Sequence, residues 1–152
     1  MTAVVPDSTM RATGHGVGGA RYEVLPFAKS EQEAAQIQDT LRLTVTTSPK
    51  HGIDRSLEVG IRLRSLGQVV TLHVAARMVR SKSHLNEIVA RACDAGIDDF
   101  FVIGGDARTP LGPYASAGEL LDVLAPHPLR PRLIGIGKVA RLEYAAGWRQ
   151  SR

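Results

Sequence analysis

From residue 20 onward the chain switches between two hydrophobic rhythms. Short runs of near-continuous apolar and β-branched residues predict buried strands. Longer stretches with apolar residues three and four apart predict helices with one apolar face. "RYEVLPF" (21–27) reads as a strand stopped at Pro26, and "RLTVTTS" (42–48) as one closed by Pro49. "QVVTLHVAA" (68–76), "DDFFVIGG" (98–105) and "PRLIGIG" (131–137) read as three more. In the fourth strand Phe101, Val102 and Ile103 are expected to be buried.

Helical spacing fills the gaps. "SEQEAAQIQDTL" (30–41) and "SAGELLDVLA" (116–125) open with Ser30–Glu33 and Ser116–Glu119, each spaced as a capping box. "GIDRSLEVGIRLRSLG" (52–67) repeats Ile53, Leu57, Ile61 and Val59, Leu63, Leu66, and Gly67 ends it. "SKSHLNEIVARACDAG" (81–96) puts Leu85, Ile88, Val89 and Ala92 on one face, with Gly96 as its stop. Cys93, in that helix, is expected to be a small core or boundary residue.

Strict alternation of strand and helix predicts an α/β fold with parallel strands covered by helices. It closes either as an open doubly wound sheet or as a (β/α) barrel, and periodicity does not separate the two. The first strand–helix junction has no G-x-G-x-x-G, which weighs against a dinucleotide-type open sheet. A full barrel takes about 250 residues, whereas this chain has 152. Residues 1–19 hold Pro6 and four glycines without periodicity and read as a flexible arm. "GHGVGG" there lacks the Lys-Ser/Thr ending and preceding strand of a phosphate loop. Residues 20–137 form the β/α domain, and 138–152 a divergent basic tail.

Composition narrows the function classes. The chain is 43% apolar and 22% charged, an ordinary globular balance. The net charge of +4 suits an anionic ligand, but the basic residues are scattered and aromatics make up only 5%. That argues against nucleic-acid binding. A single cysteine rules out an intrachain disulfide. No apolar run has the length of a membrane span or signal segment, so no membrane partner and a cytoplasmic location are expected. His15, His51, His84 and His127 show no ligand spacing, and no metal is predicted.

In either closure the site lies at the C-terminal ends of the strands. Glu23 sits inside the first strand. If buried, its raised pKa would make it a candidate general acid; on an edge strand it would be a glutamate facing water. Thr46, Thr47 and Ser48 end the second strand and could hydrogen-bond a ligand or simply turn the chain. His73 is either a donor to a ligand or a satisfied core histidine. Arg77 and Arg80 follow it and could serve an anion. Lys50, His51, Asp54 and Arg55 surround a helix start, where charge is common. After the fourth strand, Gly104 and Gly105 leave room for a flat ring, and Asp106 is a site carboxylate or a turn residue.

These rim motifs, "RYEVLPF", "LTVTTSPKHGIDRSLEV", "VVTLHVAARMVRSKSHLNEIVARACDAGIDDFFVIGGDA" and "GPYASAGELLDVL", together resemble the first half of methylenetetrahydrofolate reductases over residues 20–136. The resemblance implies a (β/α)8 TIM barrel, here incomplete at about four and a half units. It implies reduction of 5,10-methylenetetrahydrofolate to 5-methyltetrahydrofolate in one-carbon and methionine metabolism, with NADH or NADPH as reductant and FAD as cofactor. By the same likeness Glu23 and Asp106 are catalytic, with Glu23 the proton donor, and Thr46, His73, Gly105 and Asp106 hold the cofactor.

The likeness has departures. Leu72 replaces the proline of a Pro-His-Leu motif, and Gly104 stands where many flavin-containing members carry arginine. Residues 138–152 lack the family's Tyr-Pro-Glu-x-His-Pro stretch, the mark expected of a truncated or frame-shifted product. An incomplete barrel would leave strand edges and apolar surface for a homo-oligomer or another partner to cover. The alternative function is a non-catalytic remnant or folate- or flavin-binding module.

Overall fold

The structure, a computed structural model, describes residues 21–36 and 42–137. The expected N-terminal arm (1–19), the basic tail (138–152) and the end of the first predicted helix lie outside the described residues. The order is β1 (Arg21–Val24), α1 (Ala28–Ala35), β2 (Arg42–Val45), α2 (Gly52–Ser65), β3 (Val69–Ala75), a 3-10 turn (Ala76–Met78), α3 (Lys82–Asp94), β4 (Asp99–Ile103), α4 (Ala117–Leu124) and β5 (Leu133–Ile136).

The five strands form one sheet in the order β1-β2-β3-β4-β5, every pair parallel. A doubly wound sheet reverses its strand order at a switch point, and this sheet has no reversal. Right-handed crossovers in unbroken succession carry all helices to one face. The core agrees. Val24, Leu43, Val45, Val70, Leu72, Val74, Phe100 and Val102 point to one side, against Leu57, Leu63, Leu85, Ile88, Leu120 and Leu124 of the helices. Such a sequential parallel arc is compatible with part of a β/α barrel.

Helix ends follow the sequence signals with one exception. α2 ends in a paired-bond turn: Gly67 N–H donates to Arg64 C=O and Gln68 N–H to Leu63 C=O. α3 ends the same way, Gly96 to Cys93 and Ile97 to Ala92. Ser116 caps α4 by accepting from the Glu119 N–H at 3.3 Å, and the Glu119 carboxylate returns to the Ala115 N–H. Ser30 does not cap. α1 begins earlier, after Phe27, and its N-cap has no side-chain hydrogen bond. What anchors α1 is Glu31, 4% exposed, which ion-pairs with Arg55 and Arg62 of α2.

Two readings of helix burial are corrected. Cys93 is exposed. Leu66 is 52% exposed at the end of α2. Among the described residues no helix is long and apolar enough to cross a membrane.

Candidate functional site

Successive residues of a strand face opposite sides of a sheet, and register partners face the same side. The pairing therefore sorts the second face of this sheet into levels. Glu23, Thr44, Thr71, Asp99 and Leu133 share one level; His73, Phe101 and Gly135 share the next; Ala75 and Ile103 follow toward the C-terminal end. No residue of this face belongs to the main core cluster. It is the face that a closed barrel would turn inward.

The lower level is a polar network. Arg21 donates through one nitrogen to Thr71 Oγ1 and to Asp99 Oδ2, the latter at 2.9 Å. Thr71 Oγ1 donates to the same Asp99 oxygen at 2.7 Å. This network ties β1 to β3 and β4 and leaves Glu23 out of it. Glu23 is exposed on an edge strand, with no hydrogen-bond or ion-pair partner among the described residues. Of the two readings of this glutamate, the edge-strand one fits the described chain.

His73 is not a satisfied core histidine. It is half-buried, and its ring has no hydrogen-bond partner among the described residues. It stacks on Phe101 with centroids 4.9 Å apart and planes 29° from parallel. Burial pushes its pKa below the ordinary 6.5, and the Glu23 charge works partly against that. Phe101 is itself wedged in place. A Cβ on Gly135 would stand 2.8 Å from Phe101 Cδ2, so the ring occupies room that only glycine leaves. Phe101 and Ile103, expected to be buried, are half-buried on this open face.

The strand ends supply the rest. Thr46 N–H donates to Val24 C=O at 3.0 Å, and its hydroxyl leans on the same oxygen at 3.4 Å. Thr47 Oγ1 donates to His73 C=O at 2.8 Å. Ser48 Oγ is buried with no partner among the described residues, as is His51 Nε2. Gly105 has φ +90°, and a Cβ there would meet Ala75 Cβ at 2.9 Å, so this position needs glycine on both counts. Asp106 follows, exposed, its carboxylate without a partner among the described residues. Three strand spacings separate β1 from β4, roughly 14 Å along the sheet. Glu23 and Asp106 therefore address different parts of any ligand.

The two candidate anion ligands are committed elsewhere. Arg77 donates to the carbonyls of Ala115 and Arg108 at 3.3 and 2.9 Å. Arg80 pairs with Asp54 at 2.6 Å. Asp54 also meets His84 Nε2 at 2.8 Å. His84 Nδ1 accepts the Arg80 N–H at 3.0 Å, which leaves the ring proton on Nε2, facing the carboxylate. Burial raises the Asp54 pKa, but hydrogen bonds from Arg80 and His84 and their charges outweigh it, so the net shift is downward. This group, with His84 buried and Arg80 exposed, pins the starts of α2 and α3 together.

Sequence reasoning missed Phe101, the Arg21–Thr71–Asp99 network and the Asp54–His84 pair. Phe101 carried a signal: alternation through "DFFVI" sets it opposite Phe100 and Val102. The other two join residues tens of positions apart and left no local trace. Among the described residues, no group of three or more His, Cys, Asp or Glu could hold a metal ion. Comparison of the chain with models of known protein families and with curated proteins found no match.

Proposed function

We propose that this chain forms the first half of a methylenetetrahydrofolate reductase-like (β/α)8 barrel in the cytoplasm, contributing the strand-end part of a folate site. One observation carries the reading. Glu23 and His73 share the helix-free face of a single parallel sheet, and Thr46, Gly105 and Asp106 stand at its C-terminal end. His73, Glu23 and Asp106 all keep unpartnered polar groups there among the described residues.

The reaction requires a hydride from NADH or NADPH to reach the carbon bridging N5 and N10 of 5,10-methylenetetrahydrofolate. The carbon–N10 bond breaks, and N10 takes up one proton. Glu23 is the proposed donor of that proton once a ligand or partner covers its face and excludes water. The Asp106 carboxylate accepts a ring N–H and so orients the pterin. The bare backbone at Gly104 lets the ring approach, since a Cβ there would meet nothing within 4 Å. His73, favoured in its neutral form by burial, offers a ring nitrogen to the same ligand.

FAD fits only in part. The flat face and the glycines suit its ring. Its diphosphate needs a cation, and Arg77 and Arg80, which follow β3, are both spent on protein partners. The two arginines that follow β3 therefore do not hold the diphosphate, and no step is routed through the cofactor.

A second reading, a folate-binding module without turnover, is favoured by the exposure of Glu23 and the openness of its face. We also infer that a second copy or another partner covers that face and the edges of β1 and β5 that are unpaired among the described residues. Light scattering reads this, and a monodisperse monomer speaks against it.

The deciding experiment is anaerobic NADH oxidation by the purified chain with methylenetetrahydrofolate, with and without added FAD, alongside the absorbance spectrum. Turnover that falls about 100-fold in Glu23→Gln supports the reductase. Folate binding without turnover supports the module. Neither binding nor turnover overturns both.

A further inference from the structure

We infer that Arg77 is a positioning residue that clamps the β4–α4 loop, residues 104–116, and thereby holds Asp106 at the strand ends. For its effect on a ligand, this inference rests on the folate-site reading above. Four contacts carry it. The Arg77 backbone N–H donates to Gly104 C=O at 3.0 Å, and its C=O accepts from Leu111 N–H at 2.9 Å. Its guanidinium reaches Arg108 C=O and Ala115 C=O. One residue thus grips the loop at its root, on both sides of Asp106, and at its far end.

The geometry leaves the loop little freedom. Gly105 rests on Ala75, and Gly112 lies so close to the Val79–Arg80 peptides that a Cβ would be 2.3 Å from either carbonyl oxygen. Arg77 Nε is buried with no partner among the described residues. Its side-chain hydrogen bonds among the described residues are thus the two to the Arg108 and Ala115 carbonyls. Lysine would offer a single ammonium in place of the planar fork whose two terminal nitrogens each reach one carbonyl.

The clamp has a consequence independent of any ligand. Arg108 is exposed, but its own carbonyl, at the bond trypsin would cut, is held by Arg77. Native trypsin digestion of the full chain, read by mass spectrometry, should therefore cut slowly after Arg108. In Arg77→Met the cut should be about tenfold faster, because the local opening that exposes the bond becomes easier. Gly112→Ala, which pushes the same loop from the other side with Arg77 intact, should also speed it. Cutting of Arg77→Met at the rate of the unmodified chain overturns the clamp, whatever Gly112→Ala does.

The positioning role is read by a double-mutant cycle on tetrahydrofolate binding. Arg77→Met and Asp106→Asn should each weaken binding, and the double variant should be no weaker than Asp106→Asn alone. If instead the two losses multiply, Arg77 acts independently of Asp106 and the positioning role fails. If the unmodified chain binds no tetrahydrofolate, the folate-site reading fails, and the trypsin result alone decides the clamp.

Discussion

The two faces of the sheet are built from neighbouring residues of the same strands, yet they do different work. On the covered face Val45, Leu72, Val74, Phe100 and Val102 are at most 1% exposed and pack on four helices. On the open face the same strands carry Glu23, Thr71, His73, Asp99, Phe101 and Ile103, a mix of charge, imidazole and aromatic ring. Burial of apolar area dominates folding stability, so stability concentrates on the first face. The second face is free to hold groups that would be costly in a core. Among the described residues the side chains of His73, Glu23 and Asp106 have no hydrogen-bond partner, and none of them belongs to the core cluster.

Truncating each face tests that contrast most strongly. Leu72→Ala should cost about 2–5 kcal/mol in urea unfolding, as a full cavity opens against the helices. Ile103→Ala, half-buried on the open face, should cost about 1 kcal/mol. Equal losses would mean that the open face is as load-carrying as the covered one. A smaller contrast separates the two serines that look alike in sequence. Ser116→Ala removes a real cap and should cost about 1 kcal/mol. Ser30→Ala, inside α1, should stay within about 0.5 kcal/mol; a matching loss would show that Ser30 caps after all.

The finest probe is the titration of His73 by NMR. Its midpoint should lie below 6.5, and Glu23→Gln should lower it further by removing the charge that opposes burial. Below pH 6.5 the unfolded chain takes up this proton while the folded chain resists, so stability should decline as pH falls through that window. His73→Gln should remove that part of the slope. A midpoint at or above 6.5 would place His73 in water rather than against Phe101.

Much of the fold was legible. Each of the five strands and four helices appears where its periodicity placed it, with ends shifted by a few residues, apart from the predicted end of the first helix, which lies outside the described residues. Gly67, Gly96 and Ser116 marked real helix ends because their turns and caps are local, made by residues within five positions. Ser30–Glu33 carried the same spacing and failed, because the ion pairs of Glu31 with Arg55 and Arg62 and the close turn after Pro26 set where α1 begins. For the site, "VVTLHVAA" marked His73 as the polar group of its strand, but whether it faced the core or the open side depended on register with β2 and β4. Arg77 and Arg80 looked like free cations, because the carbonyls and carboxylate that hold them come from other segments.

By itself, then, the sequence determined the element order, the parallel class of the sheet and most of the helix ends, all of which follow from near-neighbour spacing and local hydrogen bonding. Its periodicity did not separate the doubly wound and barrel-like closures, although the missing G-x-G-x-x-G weighed against the first. Only the tertiary structure decided that the strands run in unbroken order, that all helices share one face, and that Arg77 grips the loop carrying Asp106. Those outcomes depend on which distant segments meet. The contacts that settle them are made across tens of residues, where periodicity carries no information.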